Sequence, residues 1–148
     1  MVAQSGSGYA GDITAREAWD LLAGNPDAVL VDVRTRPEWT FVGAPFLQAV
    51  AKEPLFVEWQ VYPDMSVRPD FVAAVEALLA QRGLGRSAPV LLLCRSGARS
   101  RSAAVALTAS GFTSAFNIAG GFEGPQDGEG HRGTVDGWKA ADLPWAQG

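Results

Sequence analysis

The clearest structural signal in the chain is the stretch Val90-Leu91-Leu92-Leu93-Cys94-Arg95-Ser96-Gly97-Ala98-Arg99-Ser100-Arg101. Four apolar residues lead to the only cysteine, a compact loop with two arginines follows, and small residues continue from Ser102. This order predicts a strand, a tight loop and a helix, a geometry that directs backbone N–H groups at an anion. Those N–H groups and the guanidinium groups favour the thiolate, the nucleophilic form of cysteine. We therefore expect Cys94 to be a nucleophile in an anion-binding cradle.

The predicted cradle combines backbone N–H groups with side chains. Its residues are Arg95, Ser96, Gly97, Ala98, Arg99 and Ser100. Gly97 is expected to meet a backbone requirement, either a positive φ or a close ligand approach. The hydroxyl of Ser100 suits two roles, a hydrogen bond to the cysteine sulfur or a place at the entry of the following helix.

Composition limits the classes of function that the chain fits. Its 148 residues, of which 47% are hydrophobic, are enough for one domain with a substantial core. The formal net charge of -4 gives no support to a nucleic-acid-binding surface. A single cysteine excludes an internal disulfide framework and a cysteine-rich zinc site. A free thiol fits a reducing cytoplasm, and no apolar run approaches the length of a membrane span.

The N-terminal residues differ in character from the rest of the chain. Residues 1–10 are mostly small and polar, and we expect a flexible arm there, followed by one domain over residues 11–148. The arm lacks the basic and apolar regions of a secretory signal. Thr14 and Glu17 match a capping box, so the first helix of the domain is expected to start at this point.

Helices and short apolar strands alternate along the domain, which predicts a three-layer α/β architecture. Residues 28–33 form an apolar run typical of a central parallel strand, and residues 115–118 predict a further strand. Pro69 is expected at the first position of a helix, since its fixed φ suits that place. Residues 35–68, which contain several prolines, predict loops with short helical or extended pieces that cover one edge of the sheet.

Three polar side chains outside the cysteine loop are candidates for the site. Asp32 and Arg34 lie at the carboxyl end of the predicted strand, where ligands bind in open α/β sheets. We expect both to support the site, by orienting loops or by forming an ion pair, rather than to perform chemistry. His131, the only histidine, lies in a glycine-rich segment, where a surface loop is expected and a catalytic base is the alternative.

The cysteine loop, Cys94-Arg95-Ser96-Gly97-Ala98-Arg99-Ser100, resembles the active-site loop of single-domain rhodaneses, which are sulfurtransferases. Three further stretches agree in order and spacing. They are Val29 to Arg34 with the downstream Pro37-Glu38-Trp39, the strand and Gly-Gly turn from Ala115 to Phe122, and the tryptophan-containing end from Gly137 to Pro144. The resemblance covers roughly residues 11–145, which is essentially one domain.

The resemblance implies a rhodanese-like fold with a central, mostly parallel five-stranded sheet and helices on both faces. It implies that Cys94 takes the outer sulfur of a small anionic donor such as thiosulfate as a persulfide. A thiol or a protein cysteine then accepts that sulfur. This chemistry needs no metal and no organic cofactor, and it implies neither a nucleic acid nor a membrane as partner.

Two other interpretations of the same loop remain open. Tyrosine-phosphatase-like enzymes, including arsenate reductases, use the spacing Cys-x5-Arg to hold a tetrahedral oxyanion. Here Arg99 and Arg101 stand one position before and one after that spacing, and position 100 is serine. The other alternative is a non-catalytic binding or sensor module, because some rhodanese-like domains serve as scaffolds, usually after loss of the cysteine.

Overall fold

A five-stranded parallel sheet forms the centre of the domain. The computed structural model describes residues 8–61 and 64–147. In spatial order the strands are β1 (Gly11–Ile13), β8 (Ala115–Ile118), β7 (Val90–Leu93), β2 (Val29–Asp32) and β4 (Leu55–Phe56). All four neighbouring pairs are parallel. Since Asp32 pairs with Leu93, and Leu92 with Asn117, the carboxyl ends of the three central strands meet at one edge.

Helices cover both faces of this sheet, as predicted, and the described residues form four α-helices. They are α1 (Ala15–Gly24), α2 (Arg36–Phe41), α3 (Phe71–Ala80) and α4 (Ala98–Ala109). Alternate strand residues face opposite sides. Val31 and Leu92 pack with α3 and α4, whereas Leu30 and Leu91 pack with α1 and the C-terminal segment. Both apolar layers are therefore buried, and the middle strands are apolar on both faces.

The starts of two helices test the capping predictions. Thr14 and Glu17 form both hydrogen bonds of the capping box, which confirms the predicted start of α1. The predicted first-turn position of Pro69 is wrong, because α3 begins at Phe71 and Asp70 is its N-cap residue. The carboxylate of Asp70 binds the guanidinium of Arg68 at 2.7 Å instead of a backbone N–H of the first turn.

Short elements fill the segment between β2 and α3, in agreement with the prediction for residues 35–68. Besides α2 and β4, they are β3 (Ala44–Pro45), a 3₁₀ helix (Gln48–Val50) and the hairpin of β5 (Gln60–Val61) with β6 (Ser66–Val67). The last strand, β9 (Trp145–Ala146), pairs with β3. The segment does more than cover an edge of the sheet, since β4 is itself the edge strand.

The predicted flexible arm over residues 1–10 falls largely outside the described residues, which begin at residue 8. Its last two residues belong to the domain. Tyr9 is 9% exposed, and its hydroxyl donates to Asp12, while the Ala10 N–H donates to the Ala115 carbonyl. The longest helix in the described part of the chain, α4, has 12 residues. None of the described helices therefore has the length and apolar character of a membrane span.

Candidate active site

Cys94 follows β7 directly and lies at the base of a loop that leads into α4. Its side chain is 1% exposed. The backbone N–H of Gly97 donates to Sγ at 3.1 Å, and Ser100 Oγ lies at the same distance from Sγ. The first N–H groups of a helix have no partner within the helix, so the N-terminus of α4 adds further donors next to this loop. The structure thus places the sulfur between a backbone N–H group and the hydroxyl oxygen of Ser100.

Backbone hydrogen bonds join the segment after β8 to the cysteine loop. Phe122 N–H donates to the Cys94 carbonyl at 2.8 Å, and the N–H groups of Glu123 and Gly124 both donate to the Arg95 carbonyl at 3.0 Å. In a trans peptide the carbonyl and the following N–H point in opposite directions. These three hydrogen bonds therefore direct the N–H groups of Arg95 and Ser96 away from residues 122–124, and they fix that orientation before any ligand arrives.

Two glycines make this close packing possible. Gly97 has a φ of +114°, and a Cβ there would collide with the Ala119 carbonyl oxygen. Gly121 has a φ of +66°, and its Cβ would collide with the Arg95 carbonyl group. We expected Gly97 to have either a positive φ or a close approach to a ligand. The structure shows a positive φ together with a close approach of protein backbone.

Arg99 lies in the first turn of α4 and forms an ion pair with Glu38 of α2. Its Nη1 and Nη2 donate to the two carboxylate oxygens at 2.7 and 2.9 Å, while Thr35 N–H donates to the same carboxylate. Burial acts to raise the pKa of Glu38, but the hydrogen bonds and charge of Arg99 outweigh it, so the pKa lies below its ordinary value. The hydrogen bonds that Arg99 donates to Glu38 raise the pKa of Arg99, although burial opposes this.

The carboxylate of Glu38 therefore compensates the charge of Arg99. Arg95, Ser96 and Ala98 are exposed at the mouth of the loop, whereas Gly97 and Ser100 are buried. The exposed guanidinium group in the predicted cradle is that of Arg95. Arg101 is also exposed.

Asp32 and Arg34 form a buried ion pair, as expected from their place at the carboxyl end of β2. Both side chains are fully buried, and Arg34 Nη2 lies 2.7 Å from Asp32 Oδ2. The same nitrogen donates to the Gly43 carbonyl, and the guanidinium lies 4.3 Å from the ring centroid of Phe122. The pair therefore supports the segment beneath the cysteine loop and does not reach the solvent.

His131 lies in an exposed surface loop, which agrees with the expected interpretation. The Asp127 carboxylate accepts the N–H groups of Glu129 and His131 and the hydroxyl of Thr134. These hydrogen bonds lower the pKa of Asp127. In the described part of the chain, no group of three or more His, Cys, Asp or Glu side chains is placed to hold a metal ion.

Sequence reasoning missed three residues that connect to the cysteine. Ser100 Oγ also lies 2.5 Å from Asn117 Oδ1, and Asn117 Nδ2 donates to Asp12, which accepts the hydroxyl of Tyr9 as well. Asn117 is fully buried in β8. An asparagine in the middle of an otherwise apolar four-residue strand was a signal, since a buried amide requires hydrogen-bond partners. Nothing in the sequence pointed to Asp12 and Tyr9 as those further partners.

The sequence model of the STR4 middle domain matches residues 10–148. The chain belongs to the STR4 middle domain family. The resemblance to single-domain rhodaneses is thereby refined. The family model that matches the sequence is the STR4 middle domain, and the term rhodanese-like describes the fold. An uncharacterised protein of Rickettsia rickettsii is 37% identical over 134 residues, which cover 90% of this chain and 95% of that protein.

Two solved structures share the fold of this STR4 middle domain. The protein in the crystal structure of Rv0390 from M. tuberculosis is 48% identical in sequence to this chain, and the two structures superpose with a TM-score of 0.81. The match covers 95% of this chain and 99% of that one. The solution structure of the polysulfide-sulfur transferase homodimer from Wolinella succinogenes is 25% identical, with a TM-score of 0.59 and coverage of 98% of this chain and 85% of that one. These neighbours agree with the predicted three-layer α/β fold of rhodanese-like type.

Proposed function

We propose that this protein is a sulfurtransferase that carries a sulfane sulfur as a persulfide on Cys94. The observation that carries the proposal is the placement of Sγ at the base of a loop, with the Gly97 N–H directed at it. A thiolate held in such a cradle is a nucleophile, and the same N–H groups suit an anionic outer sulfur. The likeness of the fold to a polysulfide-sulfur transferase supports the same chemistry.

The proposed reaction has two steps. The Cys94 thiolate attacks the outer sulfur of a donor such as thiosulfate, a new S–S bond forms, and the S–S bond of the donor breaks. Sulfite leaves with the bonding electron pair, and the outer sulfur of the Cys94 persulfide carries the negative charge. A thiolate acceptor then attacks that outer sulfur, and Cys94 returns as a thiolate. Both steps are displacements at sulfur, so the balance requires no metal, no organic cofactor and no oxidant.

The residues of the loop divide this work between backbone and side chains. The N–H groups of residues 95–99 hold the outer sulfur, Arg95 attracts the anionic donor, and the Arg99–Glu38 pair fixes the start of α4. Ser100 contacts the inner sulfur. With one cysteine in the chain, the persulfide passes to an outside acceptor, a small thiol or a protein cysteine. A thiol that must stay reduced to act suits a cytoplasmic protein.

A cyanide assay tests this function. We expect the purified protein to convert thiosulfate and cyanide to sulfite and thiocyanate, and Cys94→Ser to abolish that conversion while it retains the thermal unfolding midpoint. Polysulfide is the second donor to supply, because thiosulfate is one of several sulfane sulfur compounds. If neither donor supports turnover and an aryl phosphate is hydrolysed in a Cys94-dependent manner, the phosphatase alternative is correct. If all three substrates fail, the domain is a binding module.

A further inference from the structure

A chain of four hydrogen bonds leads from the nucleophilic sulfur to the outer strand of the sheet. Sγ of Cys94 lies 3.1 Å from Ser100 Oγ, which lies 2.5 Å from Asn117 Oδ1. Asn117 Nδ2 donates to Asp12 Oδ1 at 3.0 Å, and the Tyr9 hydroxyl donates to the same oxygen at 2.7 Å. Cys94, Ser100 and Asn117 are each at most 1% exposed. Water therefore does not reach the sulfur, the Ser100 hydroxyl or the Asn117 amide, and these three groups depend on one another and on Asp12 for hydrogen bonds.

Asp12, at the end of the hydrogen-bond chain away from the sulfur, determines which group donates at each step. An ionised carboxylate only accepts hydrogen bonds, so Asp12 requires the amide nitrogen of Asn117 to face it. The amide oxygen of Asn117 is then left facing Ser100. Burial raises the pKa of Tyr9, and its hydrogen bond to Asp12 raises it further, so the phenol keeps its proton at neutral pH and remains a donor.

The orientation of the Ser100 hydroxyl, next to the sulfur, follows from the number of hydrogens available. The Asn117 oxygen carries none, and two oxygens 2.5 Å apart repel each other unless a hydrogen lies between them. Ser100 has one hydroxyl hydrogen, which must therefore point at Asn117. Ser100 Oγ then presents a lone pair to the sulfur, and a lone pair accepts from an S–H group but repels a thiolate.

We infer that Asp12 and Asn117 are positioning residues, which act through the hydroxyl of Ser100 to hold Cys94 as a thiol until that hydroxyl turns. When the hydroxyl turns to donate to the sulfur, the thiolate gains a hydrogen bond, and the bond between Ser100 and Asn117 is lost. The Gly97 N–H favours the thiolate in either arrangement. The Ser100 hydroxyl is therefore the group that can switch from accepting a hydrogen bond to donating one to the sulfur. The inference deepens the proposed sulfur transfer and rests on it for its role in the reaction.

Several charges surround the sulfur and must be separated from this effect. The titratable and charged side chains on the elements packed around it are Arg95, Arg99 and Arg101 from the loop and α4, Asp32 and Arg34 at the end of β2, Glu38 from α2, and Asp12 and Tyr9 at β1. Removing the charge of Asp12 would favour a thiolate through space as well. The test therefore needs a variant in which Asp12 is changed but Ser100 cannot respond.

The experiment measures the ultraviolet absorbance of the Cys94 thiolate as a function of pH, with Cys94→Ser as the blank. Asp12→Asn gives residue 12 an amide that accepts either orientation of Asn117, so the Ser100 hydroxyl is free to turn to the sulfur. We expect the midpoint to fall by about 0.7 pH unit, the equivalent of one ordinary hydrogen bond. Ser100→Ala removes the opposing lone pair, and we expect its midpoint to fall as well.

The double variant decides between the two routes. In a Ser100→Ala background, Asp12→Asn should no longer move the midpoint, whereas a through-space charge effect would persist there and overturn the inference. A rise of the midpoint in Ser100→Ala would overturn it too, since Ser100 would then stabilise the thiolate. Tyr9→Phe is the matched control, because it leaves the carboxylate of Asp12 as an acceptor and should leave the midpoint in place.

This titration reads the thiol itself, so its outcome is independent of sulfur transfer. Shifted midpoints in a protein that forms no persulfide would refute the proposed function and leave the hydrogen-bond chain intact. Persulfide formation with unmoved midpoints would support the proposed function and refute the role of the hydrogen-bond chain. Thermal unfolding of each variant shows that it is folded, and Asp12 is exposed on its strand, so its substitution removes little packing.

Discussion

The guanidinium of Arg99 binds the carboxylate of Glu38 through two hydrogen bonds of 2.7 and 2.9 Å, although 61 positions separate the two residues in the chain. The pair joins the first turn of α4 to α2 and so ties the cysteine loop to the segment after β2. It also sets the charge balance at the mouth of the site. The two charges compensate each other, so substituting either partner leaves the other charge unpaired beside the cysteine loop.

Substitution of Arg99 should weaken the use of anionic donors. In Arg99→Ala the carboxylate of Glu38 loses its partner and repels thiosulfate, so we expect the KM for thiosulfate to rise about tenfold, the equivalent of one charge-assisted hydrogen bond. The reaction of Cys94 with an uncharged alkylating reagent should change little. Steady-state kinetics check this, and the Glu38→Gln/Arg99→Ala variant should recover part of the loss. Unchanged thiosulfate kinetics in Arg99→Ala would remove Arg99 from the account.

The same ion pair predicts how stability depends on pH. Because the folded state lowers the pKa of Glu38, its contribution is complete above the ordinary value of 4.5 and disappears as the pH falls through the folded pKa. We expect Glu38→Gln to cost about 1 kcal/mol of unfolding free energy at pH 7. Urea unfolding at pH 7 and at pH 3 measures the difference between variant and wild type, which should shrink at the lower pH. A constant difference would mean that the charge of Glu38 does not contribute.

The buried pair of Asp32 and Arg34 should be costly to break from one side. Asp32→Ala leaves a fully buried guanidinium without its counter-charge, and we expect a loss of about 3–5 kcal/mol in unfolding free energy. Replacing both residues, as Asp32→Leu with Arg34→Met, should cost less than that single change because no charge remains buried. Denaturant unfolding of the single and double variants checks this. A double variant as unstable as the sum of its parts would contradict it.

Gly97 should tolerate no side chain. Gly97→Ala combines an unfavourable φ of +114° with a collision against the Ala119 carbonyl, and we expect it to cost more than about 2 kcal/mol. Gly128→Ala is the matched control, because a Cβ at Gly128 meets nothing within 4 Å, and its effect should stay within about 0.5 kcal/mol. Thermal unfolding compares the two variants. Equal midpoints would mean that the loop can move away from Ala119.

Local sequence signals predicted the elements that carry the site. The capping box of α1, the apolar runs of β2 and β7, and the small residues of α4 all produced the expected structures. These signals work because each element is specified by residues within its own length. The place of Cys94 after β7 and the Asp32–Arg34 pair follow from the same local patterns.

Long-range contacts were beyond such reasoning. The strands β1 and β4 have three and two residues, too few for a periodic pattern, and they are strands because of the neighbours they pair with. The contact of Arg99 with Glu38 spans 61 positions, and that of Asn117 with Asp12 spans 105. The polar residues in these contacts are ordinary surface types in sequence. The packing of α4 near α2 brings Arg99 to Glu38, and the pairing of β1 with β8 brings Asp12 to Asn117.

The intact mass of the reduced protein after incubation with thiosulfate tests the central claim most directly. We predict a gain of one sulfur atom, located on Cys94 by peptide mapping, lost on treatment with cyanide or a thiol, and absent in Cys94→Ser. Polysulfide provides the same test with a second donor. No gain in mass with either donor, in protein whose Cys94 thiol is shown to be reduced and reactive, would contradict the assignment of this chain as a persulfide-forming sulfurtransferase.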